Sequence, residues 1–329
     1  MLRPLFRILA GAAAMAPALS ATAATPASSP YAALAALEAR VAAIGFRLTT
    51  ANAAWCPALQ PQFGWIWGDP RLYREEDRPA ALAAYRAGSS GAPFLAAVAP
   101  GSPAALAGLT MGEPVYATGD VALPDPDGDA FARVDAVERR FAEGPATDTI
   151  AITARNDTTV RLTPVAGCTS DFRVEARDRP AGGADGRVVR ISAGLAQYAS
   201  DDAELAAAVA HEVAHNILRH PQRLEAAGVD RGVLKQFGRN ARLIRQTEVE
   251  ADRLSIWLLG GAGYDPAAAV RFWQKFGRKK GPVLIQPGTH PRWQARVKVL
   301  EGEIAAMRAA AAAGAPPKPP LAAAPPPLE

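Results

Sequence analysis

The string His211-Glu-Val-Ala-His215 constrains this chain more than any other feature. Two imidazoles four residues apart act together only on an α-helix, where positions i and i+4 lie one above the other. From there they can hold one metal ion on the same face, and Glu212 flanks that ion and can keep a water against it. The neighbouring residues support a helix. Asp201 followed by Glu204 has the pattern of a capping box. The Ala-rich stretch from Asp202 to His220 contains no Gly or Pro, and Pro221 stops it. Ala208, His211, His215 and Leu218 fall on one stripe at helical spacing.

The pattern is that of a zinc metallopeptidase, and such a site needs a third protein ligand. A metzincin would carry Gly at 218 and His at 221, and Leu218 and Pro221 exclude that class. The next candidate is Glu248, in a second amphipathic helix expected over Arg239 to Leu259, with Leu243, Ala251, Leu254 and Leu258 on one face. Glu248 and Asp252 are four apart. One carboxylate is then available to the metal, and the other to a histidine N–H, fixing that imidazole's tautomer and orientation. Glu250 lies about 200° round the helix from Glu248 and is expected to be a solvated charge. His220 is expected on the helix face opposite His211, as a favourable cation near the helix C-terminus.

Gly186-Arg-Val-Val-Arg-Ile-Ser-Ala-Gly-Leu195, Asp202-Ala-Glu-Leu205, His-Glu-Val-Ala-His and Glu248-Val-Glu-Ala-Asp252 occur in that order. Together they resemble the HtpX and CAAX-prenyl-protease family of zinc peptidases, which are gluzincins, over about residues 170 to 305. Thr289-His-Pro-Arg-Trp-Gln-Ala-Arg296 resembles that family's His-Pro segment with a downstream Arg. The resemblance implies one zinc ion on His211, His215 and Glu248, with Glu212 as catalytic base. The chain lacks the hydrophobic helices of the membrane-spanning members. It looks more like the soluble periplasmic branch, whose members handle outer-membrane proteins during assembly, so outer-membrane assembly components are implied partners by analogy.

Peptide hydrolysis by such a site needs a proton acceptor, Glu212, and a donor for the developing oxyanion. His290 and Arg296 are the candidates for that donor, and by the family resemblance His290 can instead close over the metal. An extended polypeptide substrate could add to a free sheet edge through main-chain hydrogen bonds. The expected strand is Arg187, Val188, Val189, Arg190 and Ile191, with an internal core strand as the alternative.

Residues 91–165 carry a second signature. Phe94-Leu-Ala-Ala-Val98 is an expected strand, followed by Pro100-Gly-Ser-Pro-Ala-Ala-Leu-Ala-Gly-Leu109 and Gly112-Glu113. This resembles a bacterial PDZ domain. Phe131 to Phe141 would be its groove helix, and Thr149–Ala154 with Thr159–Thr163 a hairpin around Asn156-Asp157. The carboxylate loop would lie near Gly91-Ala-Pro-Phe94, where Pro93 removes a backbone donor. Such a module binds extended peptides by strand addition or simply braces the peptidase.

The ends of the chain speak to compartment. Arg3 and Arg7 precede an Ala- and Leu-rich run, and Ala21-Thr-Ala23 fits a cleavage site after Ala23 or Ala24, so residues 1–24 are an expected signal peptide and the mature protein is expected to be periplasmic. No later run approaches the roughly eighteen uninterrupted apolar residues of a membrane span. Cys56 and Cys168 are too far apart for a compact metal motif, and in an exported protein they can pair. The formal charge of +4 drops to +2 once Arg3 and Arg7 are removed. With no basic cluster bearing aromatics, nucleic-acid binding is not expected.

The expected fold is therefore α+β. An unassigned segment at 25–90 leads into the PDZ-like β-rich domain at 91–165. A mainly helical gluzincin domain with a small sheet follows at 166–308, and a disordered Ala/Pro-rich tail at 309–329. The expected function is a zinc metalloendopeptidase acting on misfolded or assembling envelope polypeptides. The alternative is a periplasmic chaperone or PDZ-type binding protein with a latent metal site.

Overall fold

The computed structural model describes residues 29–126, 129–229, 238–280, 291–314 and 318–329. It is mixed α+β, as expected. The expected signal peptide lies outside the described residues. Helix α1 (Pro30–Ala51) opens on Ser29, whose hydroxyl accepts from the Tyr31 amide. Its Val41, Ile44 and Leu48 are buried. Strands β1 (Leu59–Gln62) and β2 (Trp65–Gly68), helix α2 (Arg78–Tyr85), strand β3 (Phe94–Val98) and the short α3 (Pro103–Leu106) follow. Next come β4 (Ala117–Thr118), β5 (Val121–Ala122), α4 (Ala130–Ala142), β6 (Ile150–Thr153) and β7 (Thr159–Leu162). Asn156 and Asp157 take left-handed backbone angles between β6 and β7, the conformation that such a turn asks of Asn and Asp.

Strand β8 (Val165–Cys168) pairs antiparallel with β1. Strands β9 (Asp171–Glu175), β10 (Gly182–Ala184) and β11 (Val188–Ser192) make a three-stranded sheet in the order β10-β11-β9. The helical half is α5 (Ala193–Tyr198), α6 (Asp202–Ile217), α7 (His220–Ala226), α8 (Gly238–Gly261), α9 (Ala267–Lys280), α10 (Trp293–Ala312) and α11 (Pro320–Ala323).

Two cores share one wall. Ile66 of β2 and Phe94 of β3 belong to a large core with α1, α6, α8 and β11. Trp67 and Leu95, on the opposite faces of the same two strands, belong to a smaller core with Val134, Phe141 and Ile152. This is the period-2 alternation of strands used in both directions. β2 pairs with β3 across the expected boundary between residues 90 and 91, and the one at 165/166 falls inside β8, which pairs with β1. The unassigned segment 25–90 supplies α1 to the larger core. A disulfide between Cys56 and Cys168 ties the middle of that segment to β8.

Three expectations change. A peptide cannot add to β3, because β2 takes one edge and residues 112–115 the other. Gly112 donates to the Leu95 carbonyl at 2.8 Å and Leu95 to the Glu113 carbonyl at 2.9 Å. The face between β2 and α4 is filled by Phe63, Trp65, Trp67 and Phe141, with Trp67 stacked on Phe141 at 5.3 Å. Second, Arg187 to Ile191 is no free edge: β11 is the central strand, antiparallel to β10 and parallel to β9. Third, the tail does not float free over its described residues. Leu321 is buried, and the Pro326 and Pro327 carbonyls accept from Arg223 and Gln246.

Candidate metal centre

Helix α6 is capped by Asp201, whose carboxylate accepts from the Glu204 amide at 2.8 Å. Glu204 reaches back to the Ser200 amide at 2.9 Å and receives Lys275 from α9. The cap sets the helical phase that stacks His211 over His215. Their Nε2 atoms are 3.2 Å apart. Glu248 of α8 arrives opposite, one oxygen 3.4 Å from His211 Nε2 and the other 3.6 Å from His215 Nε2. Ligands held tetrahedrally at roughly 2.0–2.1 Å from a zinc-sized ion stand roughly 3.3–3.4 Å from one another. The three donor atoms therefore fit a small divalent cation, and the structure brings together all three expected ligands, His211, His215 and Glu248.

Asp252 is where the spacing predicts it, one turn below Glu248, with an oxygen 3.1 Å from His211 Nδ1. That acceptor leaves His211 Nε2 facing the ligand triangle. Burial and Arg296 push the His211 pKa down, but the Asp252 and Glu248 carboxylates outweigh them and hold it at about 9. His215 has no carboxylate on its Nδ1, and burial drives it well below the ordinary imidazole range. Glu212 packs against β10, so closely that a Cβ on Gly182 would lie 2.5 Å from its Oε1. Burial first, then the neighbouring Glu248, push the Glu212 pKa up to about 7 against the pull of His211, Arg296 and Arg190.

Arg296 is not an oxyanion donor. Its guanidinium is buried, gives Nε to Asp252 at 2.8 Å with Nη2 on the other oxygen, and stacks on Trp273 at 3.4 Å. It lies 3.3 Å from His211 Nδ1 because both grip the same carboxylate. The same Nη2 is 3.4 Å from His211 Nε2, and the hold on Asp252 makes Arg296 a positioning residue for the ring. His290 lies outside the described residues.

Two further readings are overturned. α6 ends at Ile217, and Arg219 turns left-handed (φ 52°, ψ 39°) before α7 starts at His220. Pro221 thus occupies the first turn of a new helix, where its missing N–H costs nothing. The reversal carries His220 back under the site, 1% exposed, with Nδ1 2.9 Å from His215 Nδ1. Glu250 is no solvated charge: it is 3% exposed, 3.1 Å from His220 Nε2 and 2.6 Å from Arg223. The one sequence signal for both is Arg223, three residues into α7 and of the right sign for a buried acid. Trp273 carries no local signal.

No protein-family model matches the chain. Mitochondrial metalloendopeptidase OMA1 of Arabidopsis thaliana is 32% identical over 136 residues, covering 35% of this chain and 27% of that protein. Mitochondrial metalloendopeptidase OMA1 of Schizosaccharomyces pombe is 30% identical over 137 residues, 35% of this chain and 41% of that protein. About a third of this chain is thus similar to metalloendopeptidases. The chain spans less than half the length of these relatives. The relationship implies a metal cofactor, and among the described residues the His211, His215 and Glu248 group is the cluster that can hold one. No helix among the described residues is long and apolar enough to cross a membrane.

Proposed function

We propose that the protein is a zinc-dependent endopeptidase with Glu212 as general base. The observation that carries this reading is the ligand triangle of His211, His215 and Glu248 with a second carboxylate, Glu212, beside it and held off the ligand set. A zinc ion held by these residues would supply an activated water at neutral pH and polarise a peptide carbonyl. Glu212 takes the proton from the attacking water and returns it to the leaving amine, a task suited to a carboxyl that burial has raised toward neutrality. Asp252 and Arg296 keep the His211 ring from turning.

The substrate polypeptide lies along β10, the edge strand of the sheet, rather than β11. Its outer edge pairs with no other described strand, and Gly182 brings that edge against Glu212. Main-chain pairing there reads peptide backbone and not sequence. A cavity of about 360 Å³ opens beside His215 and Glu248, with Pro221, Leu224, Val229 and Ile244 among its walls. It offers room for an apolar substrate side chain.

Export to the periplasm is part of the same reading. Arg3, Arg7 and the apolar run to Ala23 support it, and the Cys56–Cys168 disulfide belongs to an oxidising compartment. Unfolded or assembling envelope polypeptides are then the substrates at hand. The test is cleavage of casein by the zinc-loaded protein against Glu212→Gln. The variant should retain metal and lose activity by roughly 10²–10⁴-fold. Equal cleavage by both overturns the assignment and leaves a binding protein with a latent site.

A further inference from the structure

We infer that His220 and Glu250 form a proton-ordering relay that presents the Nε2 lone pair of His215 to the metal, an assignment that rests on His215 being a ligand. His215 Nδ1 and His220 Nδ1 are 2.9 Å apart, so a single proton sits between them. The rings meet edge to face, with centroids 4.8 Å apart. Two proton orders are open to a neutral pair. In the first, His215 carries its proton on Nδ1 and donates to His220, whose own proton sits on Nε2. In the second, His220 donates from Nδ1, and the His215 proton moves to Nε2, where it blocks the metal position.

Glu250 decides between them. Its Oε2 is 3.1 Å from His220 Nε2. In the first order that contact is an N–H donating to a carboxylate. In the second it is a bare ring nitrogen facing a carboxylate oxygen in a buried site, two acceptors with no proton between them. Arg223 at 2.6 Å and Gln246 at 2.9 Å donate to Glu250 and keep it an acceptor. The order therefore runs from His215 Nδ1–H to His220 Nδ1, and from His220 Nε2–H to Glu250 Oε2. His215 Nε2 is left bare, 3.2 Å from His211 Nε2 and 3.6 Å from Glu248. His220 and Glu250 are positioning residues: neither points at the ligand triangle, and they act through His215.

The geometry is built rather than incidental. It needs α6 to stop at Ile217, a non-glycine residue, Arg219, to take left-handed angles, and α7 to begin on His220. A left-handed non-glycine backbone is strained and persists where the surroundings over-determine it. Here the His215–His220–Glu250 chain is what lies beneath it.

The test uses the full chain and two readouts independent of peptidase activity. Zinc affinity is measured by chelator competition for wild type, His220→Phe and His220→Gln, with melting temperatures as the folding control. His220→Phe should bind zinc about 10–100-fold more weakly. His220→Gln should recover part of the loss, since its amide oxygen can accept from His215. The His215 tautomer is read from ¹⁵N shifts of histidine-labelled, metal-free protein. Wild type should show the proton on Nδ1, and Glu250→Ala should shift population to Nε2–H. Wild-type zinc affinity retained in a folded His220→Phe protein overturns the relay and leaves the metal site intact. So does a His215 tautomer that Glu250→Ala does not change, which serves if the phenylalanine variant fails to fold. A wild-type protein that binds no zinc overturns the site itself and the relay with it.

Discussion

The two imidazoles of the site are one helical turn apart and are braced by opposite means. His211 rests directly on a carboxylate, Asp252, which is clamped by Arg296 and capped by Trp273. His215 rests on another imidazole, His220, and only through it on Glu250, Arg223 and Gln246. Both acids come from α8 and both are matched to an arginine. The difference lies in what touches the ring. A carboxylate in contact holds the His211 proton up to about 9, whereas His215, with a neutral ring in contact, falls far below the ordinary range. One brace can thus tighten a ligand electrostatically, and the other orients a ligand without charging it.

The surroundings differ as well. The Asp252–Arg296 pair is sealed, with side chains 1% and 4% exposed. The Glu250–Arg223 pair reaches the surface through an arginine 19% exposed. It also leans on the tail, since Arg223 and Gln246 donate to the Pro326 and Pro327 carbonyls at 2.6 and 2.8 Å. The sealed brace should therefore be the more costly one to break.

The largest effect is expected from Asp252→Ala, which strands a buried guanidinium. Urea unfolding should show a loss of about 3–5 kcal/mol, together with weakened zinc binding. Glu250→Ala leaves Arg223 able to reach water and the tail, and about 1–3 kcal/mol should be lost in the same assay. Equal losses would erase the distinction between sealed and open braces.

Glu38 supplies the missing control, a buried acid with no arginine. On α1, one oxygen has no hydrogen-bond partner, and burial raises its pKa from 4.5 to about 8 despite the nearby Tyr85 hydroxyl. The folded protein holds this proton more tightly than the unfolded chain. Its contribution is complete below pH about 4.5 and is lost as pH rises towards about 8. Glu38→Gln removes that loss. Its stability relative to wild type should rise between pH 5 and pH 8.5, by about 1–3 kcal/mol in denaturant titrations. A difference independent of pH would mean that Glu38 is ionised in the folded state. The smallest effect should come from deleting residues 324–329, which leaves the buried Leu321 and Ala322 in place. Arg223, Gln246 and Arg242 lose carbonyl partners, and hydrogen exchange at Gln246 should quicken while stability changes by about 1 kcal/mol or less. The amide proton of Asp252 should not respond.

Much of the site is legible in the sequence. His211, His215, Glu248 and Asp252 are pairs at i and i+4, and helical periodicity is a local property that a string of residues carries by itself. The Asp201 cap and the turn at Asn156-Asp157 are local too. The expectations that fail share one cause, which is contact between distant parts of the chain. A continuous helix would put His220 on the far face, but the helix breaks at Arg219 and the ring returns beneath His215. The angle of Glu250 round α8 points it away from Glu248, and that side is where α7 packs. Residues 187–191 look like a strand, and a central strand looks no different from an edge until its neighbours pair with it.

Sequence alone thus determined the donor set: two imidazoles, the glutamate between them and a carboxylate pair, at spacings that only helices make useful. Tertiary structure decided which carboxylate meets which ring, that Arg296 braces His211 through Asp252, that the edge strand is β10, and that the helix and strands before residue 91 belong inside the core. The physical reason is range. Backbone periodicity is set within a turn or two, whereas burial, pairing and proton affinity depend on surfaces that meet only after the chain has closed on itself.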